Sequence, residues 1–277
     1  MKSHLASVRG ILSAEWIAGV FIFSISAAAA VGPPATPIVG GQRPHAEAIL
    51  SRMAEFLSKT PRMAMTVHAA YDAVQKNGTK VEWNEIRKVT LSRPDRLRVD
   101  MERSDGARSL ILFDGKNITT FDERANVYAQ TPQSGGVDET VVHFVRDMGM
   151  RFPLAVLFLS RLPQELKSRV QTVDYVEKTA TLGVPAHHLA GRTATVDFQL
   201  WIADGDQPLP QRAVLTYKNA PGQPQFRAQF SDWDLAVNPP DSMFAFTPPA
   251  QAKQIPFASA LPRMALGSAR AKKGAQK

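Results

Sequence analysis

The chain has 277 residues, 44% of them apolar, with a formal charge of +8 and no cysteine. That length and apolar share fit one large domain or two small ones and exclude a wholly disordered chain. The missing thiols exclude disulfides, thiolate metal sites, cysteine nucleophiles and a lipidated N-terminal cysteine.

In chain order, Lys2 and Arg9 precede an apolar run from Trp16 to Ile25, and Ala27–Ala30 supply small residues ahead of Gly32-Pro33-Pro34. This is the pattern of a secretory signal spanning residues 1–30 and cleaved near Ala30, so the mature protein is expected to be exported. The rival reading is a retained anchor; it has too short a run, and Glu15 interrupts it. Residues 31–43 read as a Pro/Gly-rich linker. A helix is expected from about Pro44 to Lys59, where Ala48, Ile49, Met53, Phe56 and Leu57 recur at three- and four-residue spacing. Pro61 ends it.

Strands follow. Met63, Met65 and Val67 alternate with Ala64, Thr66 and His68 until Asn77-Gly78 reverses the chain into a strand containing Val81 and Trp83. After a turn at Arg93-Pro94-Asp95, Leu97, Val99 and Met101 face one way and Arg96, Arg98, Asp100 and Glu102 the other. Asp105-Gly106 and Asp114-Gly115 mark further reversals, and strands are expected at 110–113, 117–122 and 127–131. Residues 137–166, with Val141, Val142, Phe144, Val145 and the apolar stretch Pro153–Leu159, read as helical but keep to no single stripe. Such a segment must be covered on several sides, so it is expected to sink into the concave face of the sheet.

Strands resume at 170–179. Within 184–217, Phe198, Leu200 and Ile202 alternate with Asp197, Gln199 and Trp201, and Asp204-Gly205 with Pro208 and Pro210 turns the chain toward Ala213, Leu215 and Tyr217. A last strand at 225–235 alternates Phe226, Ala228 and Phe230 with Arg227 and Gln229. So many two-residue reversals belong to an antiparallel meander, not a parallel α/β fold. The fold class expected is mainly β (α+β): a curved antiparallel half-barrel with an N-terminal helix and a helical lid, over residues 44–250.

The excess positive charge does not lie on this domain. Residues 251–277 hold six basic side chains and no acidic one, and most of the remaining charge cancels. That stretch reads as a disordered basic tail able to contact a membrane surface or an envelope protein; no nucleic-acid partner is expected.

The motifs Arg93-Pro94-Asp95-Arg96-Leu97, Phe113-Asp114-Gly115-Lys116, Asn126-Val127-Tyr128-Ala129, His187-His188-Leu189-Ala190, Phe198-Gln199-Leu200-Trp201-Ile202 and Pro208-Leu209-Pro210, ending near Asp232-Trp233, follow one another over residues 46–248. In this order they resemble a family of predicted periplasmic proteins that is itself similar to the LolA/LolB lipoprotein-carrier superfamily. The resemblance implies an incomplete barrel whose concave apolar face is lidded by helices and, in the carriers, shelters acyl chains. The chain departs from the family pattern at Ala186 and Gly191, where a cysteine and an aromatic residue are usual. This weakens any redox or metal role for that corner.

Chemistry-bearing candidates are few. His187 and His188 are adjacent on a strand and point to opposite faces, so they cannot chelate one ion; one buried and one exposed histidine are expected. His68 and Asp72 share a face but lie too far apart for contact. The Asp-Gly pairs lack the alternating acidic ligands of a calcium loop. No phosphate loop or nucleophile elbow occurs, so no catalytic residue, cofactor or metal is expected and the protein reads as a non-enzyme. The apolar face is the binding candidate: Met63, Met65, Val67, Leu97, Val99, Met101, Phe198, Leu200, Ile202, Phe226 and Phe230 would line a cavity for a lipid or acyl chain, or else fill it as a solid core in an envelope interaction protein.

Overall fold

A computed structural model describes residues 43–144 and 153–257. The expected signal segment and nearly all of the linker lie outside the described residues, as do Val145 and residues 258–277. Among the described residues no helix is long and apolar enough to cross a membrane.

Helix α1 (Arg43–Lys59) opens the fold. Its buried stripe is Ala46, Ile49, Leu50, Met53, Ala54 and Leu57, a clean three- and four-residue repeat. Ala48, expected within that stripe, is exposed, and Phe56 is half-buried at its border. The stripe shares Ile49, Met53 and Leu57 with the apolar set chosen from the sequence and takes in Ala46, Leu50 and Ala54 in place of Ala48 and Phe56.

Six strands then form a meander: β1 (Arg62–Val74), β2 (Lys80–Ser92), β3 (Arg96–Arg103), β4 (Arg108–Phe113), β5 (Asn117–Asp122) and β6 (Val127–Pro132). Three of the five reversals fall where Asn-Gly and Asp-Gly stand, the other two at Arg93–Asp95 and Glu123–Asn126. Gly78, Gly106 and Gly115 all take positive φ, and the preceding side chains tie the turns: Asn77 accepts from Thr79 N at 3.1 Å, and Asp114 from Asn117 N at 2.7 Å.

From β6 the chain crosses the sheet through helix α2 (Val137–Val142), a 3₁₀ turn (Ala155–Phe158) and helix α3 (Leu162–Arg169). Of the stretch 137–166 read as helical, residues 145–152 lie outside the described residues, and the described part forms three short pieces. This is why its apolar residues follow no single stripe. A second meander returns from the far edge: β7 (Thr172–Thr179), β8 (Ala186–Arg192), β9 (Val196–Ala203), β10 (Pro210–Tyr217) and β11 (Gln225–Asp234). The segment 184–217 thus holds three strands, one more than expected, because His187–Ala190 belongs to a strand of its own. A last strand, β12 (Lys253–Gln254), has two residues.

The two meanders fuse where β1 pairs antiparallel with β11, giving one twelve-stranded sheet in the order β12-β6-β5-β4-β3-β2-β1-β11-β10-β9-β8-β7. All pairs are antiparallel except that of β12, which runs parallel to β6. Residues 251–257, expected in a disordered tail, therefore belong to the fold. Phe257 packs against the core, its ring 6.4 Å from that of Phe144. On its way to β12 the chain runs past β3 and β6: Arg98 donates to Met243 O at 2.8 Å, and Phe246 lies against Phe121 and Tyr128.

The sheet is an open, curved half-barrel, and its apolar core lies between the inner face and the cover made by α1, α2, the 3₁₀ turn and α3. Alternation along each strand explains it. In β1, Met63, Met65, Val67, Ala69 and Tyr71 are all buried while the residues between them are half-buried or exposed.

Candidate functional site

Strand parity brings the inner-wall residues to one face. Met63, Met65, Val67, Leu97, Val99, Met101, Leu200, Ile202, Phe226 and Phe230 are all buried in the main core, and Phe198 is half-buried against it. Register aligns them: Met65 opposes Val89, Val89 opposes Val99, and Val67 opposes Phe230. Only Met65, Val67, Phe226 and Phe230 meet at a common void, together with Arg87, Val89, Pro153, Leu154, Leu157 and Phe158. The remaining candidates pack elsewhere on the same wall.

The void measures about 20 Å³, room for roughly one water. At that patch the wall is occupied by the cover's own side chains, chiefly Leu157 and Phe158.

The wall also contains two charges that the sequence reading passes over. Glu85 and Arg87 stand two apart on β2, their side chains only 2% and 4% exposed, and Arg87 Nε donates to Glu85 Oε1. The guanidinium lies over the Phe226 ring at 5.6 Å. Period two from Leu91 and Val89 back through Arg87 and Glu85 to Trp83 places both inside. The sequence expectation for this strand rests on its exposed start, where Val81 is 40% exposed.

The cover is fastened at Asp138 of α2. Its carboxylate accepts from Ser160 N at 2.9 Å and Ser160 Oγ at 2.7 Å, just beyond the 3₁₀ turn. It also lies 3.6 Å from Arg93, which donates to Thr60 O at the end of α1 at 3.1 Å. One carboxylate thus ties α2, the crossing segment and the β2–β3 turn together. Burial pushes the Arg93 pKa down, while Asp138 acts to raise it. At the start of the 3₁₀ turn Leu154 has φ 67°, a left-handed conformation that an L-residue adopts with strain.

The histidines are on opposite faces; one of them is expected to be exposed, but both are largely covered, their side chains 15% and 11% accessible. His187 Nε2 lies 3.0 Å from Asp204 Oδ1 and its Nδ1 3.3 Å from the Tyr175 hydroxyl, beside the His45 ring of α1. His188 stacks on Trp201 at 4.0 Å, Arg212 lies over the indole at 5.5 Å, and burial lowers the His188 pKa. Cross-strand register makes this stack, since His188, Trp201 and Arg212 oppose one another on β8, β9 and β10. Asp72 pairs with Arg227 at 2.9 Å and not with His68. Among the described residues no group of three or more His, Asp or Glu side chains is placed to hold a metal ion. Gly191 opposes Phe198, whose ring occupies the space a side chain would take.

Solved structures that align over most of this chain include an uncharacterized conserved protein of Thermus thermophilus (14% identity, TM-score 0.43, 76% of this chain and 99% of that one). Two others are the Mycobacterium tuberculosis lipoprotein LppX (14%, 0.44, 70% and 98%) and a LolA-superfamily protein of Nitrosomonas europaea (12%, 0.34, 73% and 97%). No curated protein matches the sequence. The family model described as "Predicted periplasmic protein (DUF2092)" matches residues 46–258, from the buried face of α1 to the residue after Phe257. The chain belongs to that family, and its place is the periplasm.

Proposed function

We propose that the protein is a non-enzymatic periplasmic binding or carrier module that receives an acyl chain or similar apolar ligand between the inner wall of the half-barrel and its helical cover. The observation that carries this reading is the makeup of the cover. The apolar patch around Met65, Val67, Phe226 and Phe230 is closed not by a second sheet but by α1 and three short pieces, with Asp138 tying the 3₁₀ turn to α2. A chain that displaces Leu157 and Phe158 exchanges one apolar contact for another and gains ~0.8 kcal/mol per methylene removed from water. The lipoprotein-carrier resemblance of the sequence motifs points the same way.

Because ligand pockets measure some 300–1,000 Å³ and the present void about 20 Å³, uptake requires the 3₁₀ turn to move off the wall. The competing reading is an envelope interaction protein with a solid core. Native mass spectrometry of the mature protein, with titration of a fluorescent fatty acid, separates the two. Co-purified lipid or saturable uptake supports the carrier; a bare chain with no uptake rejects it.

A further inference from the structure

Glu85 and Arg87 are out of place in an apolar wall. Their mutual bond joins two residues of one strand. Taking both charges out of water costs more than apolar side chains of the same volume would. Their placement is directional. Arg87 borders the void beneath Leu154, Leu157 and Phe158, and Glu85 follows toward the β1–β2 hairpin end of the wall. Arg103, opposite Glu85 on β3, comes next and is bound to Asp105 at the rim, where both are partly exposed. Along β2 the wall therefore changes from apolar at Leu91 and Val89 to charged at Arg87 and Glu85, with Arg103 beside Glu85 on β3 and the partly buried Trp83 beyond it. That is the polarity profile of a molecule with a hydrocarbon chain and a charged head.

The geometry points to an anionic amphiphile as the ligand, its carboxylate or phosphate head taken by the guanidinium of Arg87 and its chain lying over Met65, Val67, Phe226 and Phe230. This rests on the carrier reading and names the head group within it. Arg87 suits the task because a planar guanidinium presents paired donors to a carboxylate or phosphate. The Phe226 ring beneath it fixes its plane. Glu85 occupies the guanidinium in the ligand's stead and is displaced toward Arg103 when the head arrives. Without a counter-ion a buried guanidinium would be strongly destabilising; with one, it stays ready for exchange.

The test uses the full mature chain and three probes of one chain length, oleate, oleyl phosphate and oleyl alcohol, each displacing a fluorescent fatty acid. The expected result is that oleate or oleyl phosphate binds at least tenfold more tightly than the alcohol, and whichever is tighter identifies the head. Glu85→Gln should strengthen anion binding at least threefold and leave the alcohol unchanged, because the internal competitor loses its charge. A merely structural pair would give a change common to all three probes. The double variant Glu85→Gln/Arg87→Met, which leaves no lone buried charge, should bind all three alike, its folding being checked by circular dichroism. Equal binding of the three probes by the unaltered protein overturns the head-group assignment and leaves the carrier reading standing. No binding of any probe overturns the carrier reading itself.

Discussion

Truncating Phe158 to alanine tests the packing of the cover and its role together. Phe158 is buried within the 3₁₀ turn and borders the small void against Met65, Arg87 and Phe226. Removing a buried phenyl ring costs about 3–5 kcal/mol, the lower end applying where neighbours collapse into the space. A four-residue turn can settle inward more readily than a strand, so about 3 kcal/mol is expected. For a domain of roughly 200 residues this lowers Tm by about 6–12 °C, at 2–4 °C per kcal/mol. Urea unfolding followed by circular dichroism measures the loss directly. The enlarged void is lined by apolar side chains and Arg87, and oleate that fills it should restore stability, by ~2.7 kcal/mol at a hundredfold excess over Kd. A loss below about 1 kcal/mol would refute the packing argument, since the turn would then not be seated on the wall. A full loss with no recovery in oleate would refute the ligand argument and leave a solid core.

Three further outcomes are expected. Asp138→Ala releases Ser160 and leaves the Arg93 guanidinium buried without its counter-ion, costing about 2–3 kcal/mol and speeding fatty-acid entry in stopped-flow measurements; unchanged entry would show that the fastening does not control the cover. Gly191→Ala drives a methyl into the Phe198 ring and should cost about 1–2 kcal/mol of stability by urea unfolding, whereas a neutral result would mean the ring swings away freely. The Arg103 hydrogen bond, helped by Ala107 N–H and by Arg124, holds the Asp105 carboxyl down to about 2. With its folded pKa depressed, its contribution is present above the usual carboxylate range and is lost as pH falls toward 2. Wild-type and Asp105→Asn stabilities should therefore differ at pH 6 and converge near pH 2; a constant gap would rule out that linkage.

Local signals carry most of the fold. Asn77-Gly78, Asp105-Gly106 and Asp114-Gly115 mark the reversals because positive φ at the glycine is a property of the dipeptide itself, and alternation in Met63–Val67 and Leu97–Met101 assigns the inner face. What escapes the sequence depends on partners distant along the chain. Trp201 reads as outward from its own strand, but its stack with His188 and Arg212 exists only through the register of three strands. For the same reason His188, expected to be the exposed or the buried member of a pair, is largely covered along with His187. Strand β12 has two residues and no period to detect; only its pairing with Val127 and Tyr128 makes it a strand. Glu85 and Arg87 lie within reach of the alternation rule. They escape it because charged residues are seldom buried unless paired, and the pairing is not visible in the sequence.

The seam between β1 and β11 joins segments made far apart in time. Asp72 accepts from Gln225 N across 153 positions and from Arg227 across 155. A polypeptide crossing into the periplasm from its N-terminus delivers β1 early, with one side already paired to β2 and the other presenting open backbone donors and acceptors until β11 emerges. Such an edge invites strand addition by neighbouring molecules, and long loop closure makes its natural partner slow to arrive. The late-synthesised strand therefore governs when the newly exported chain becomes safe from self-association, and a truncation before residue 225 should aggregate even though the first six strands are intact.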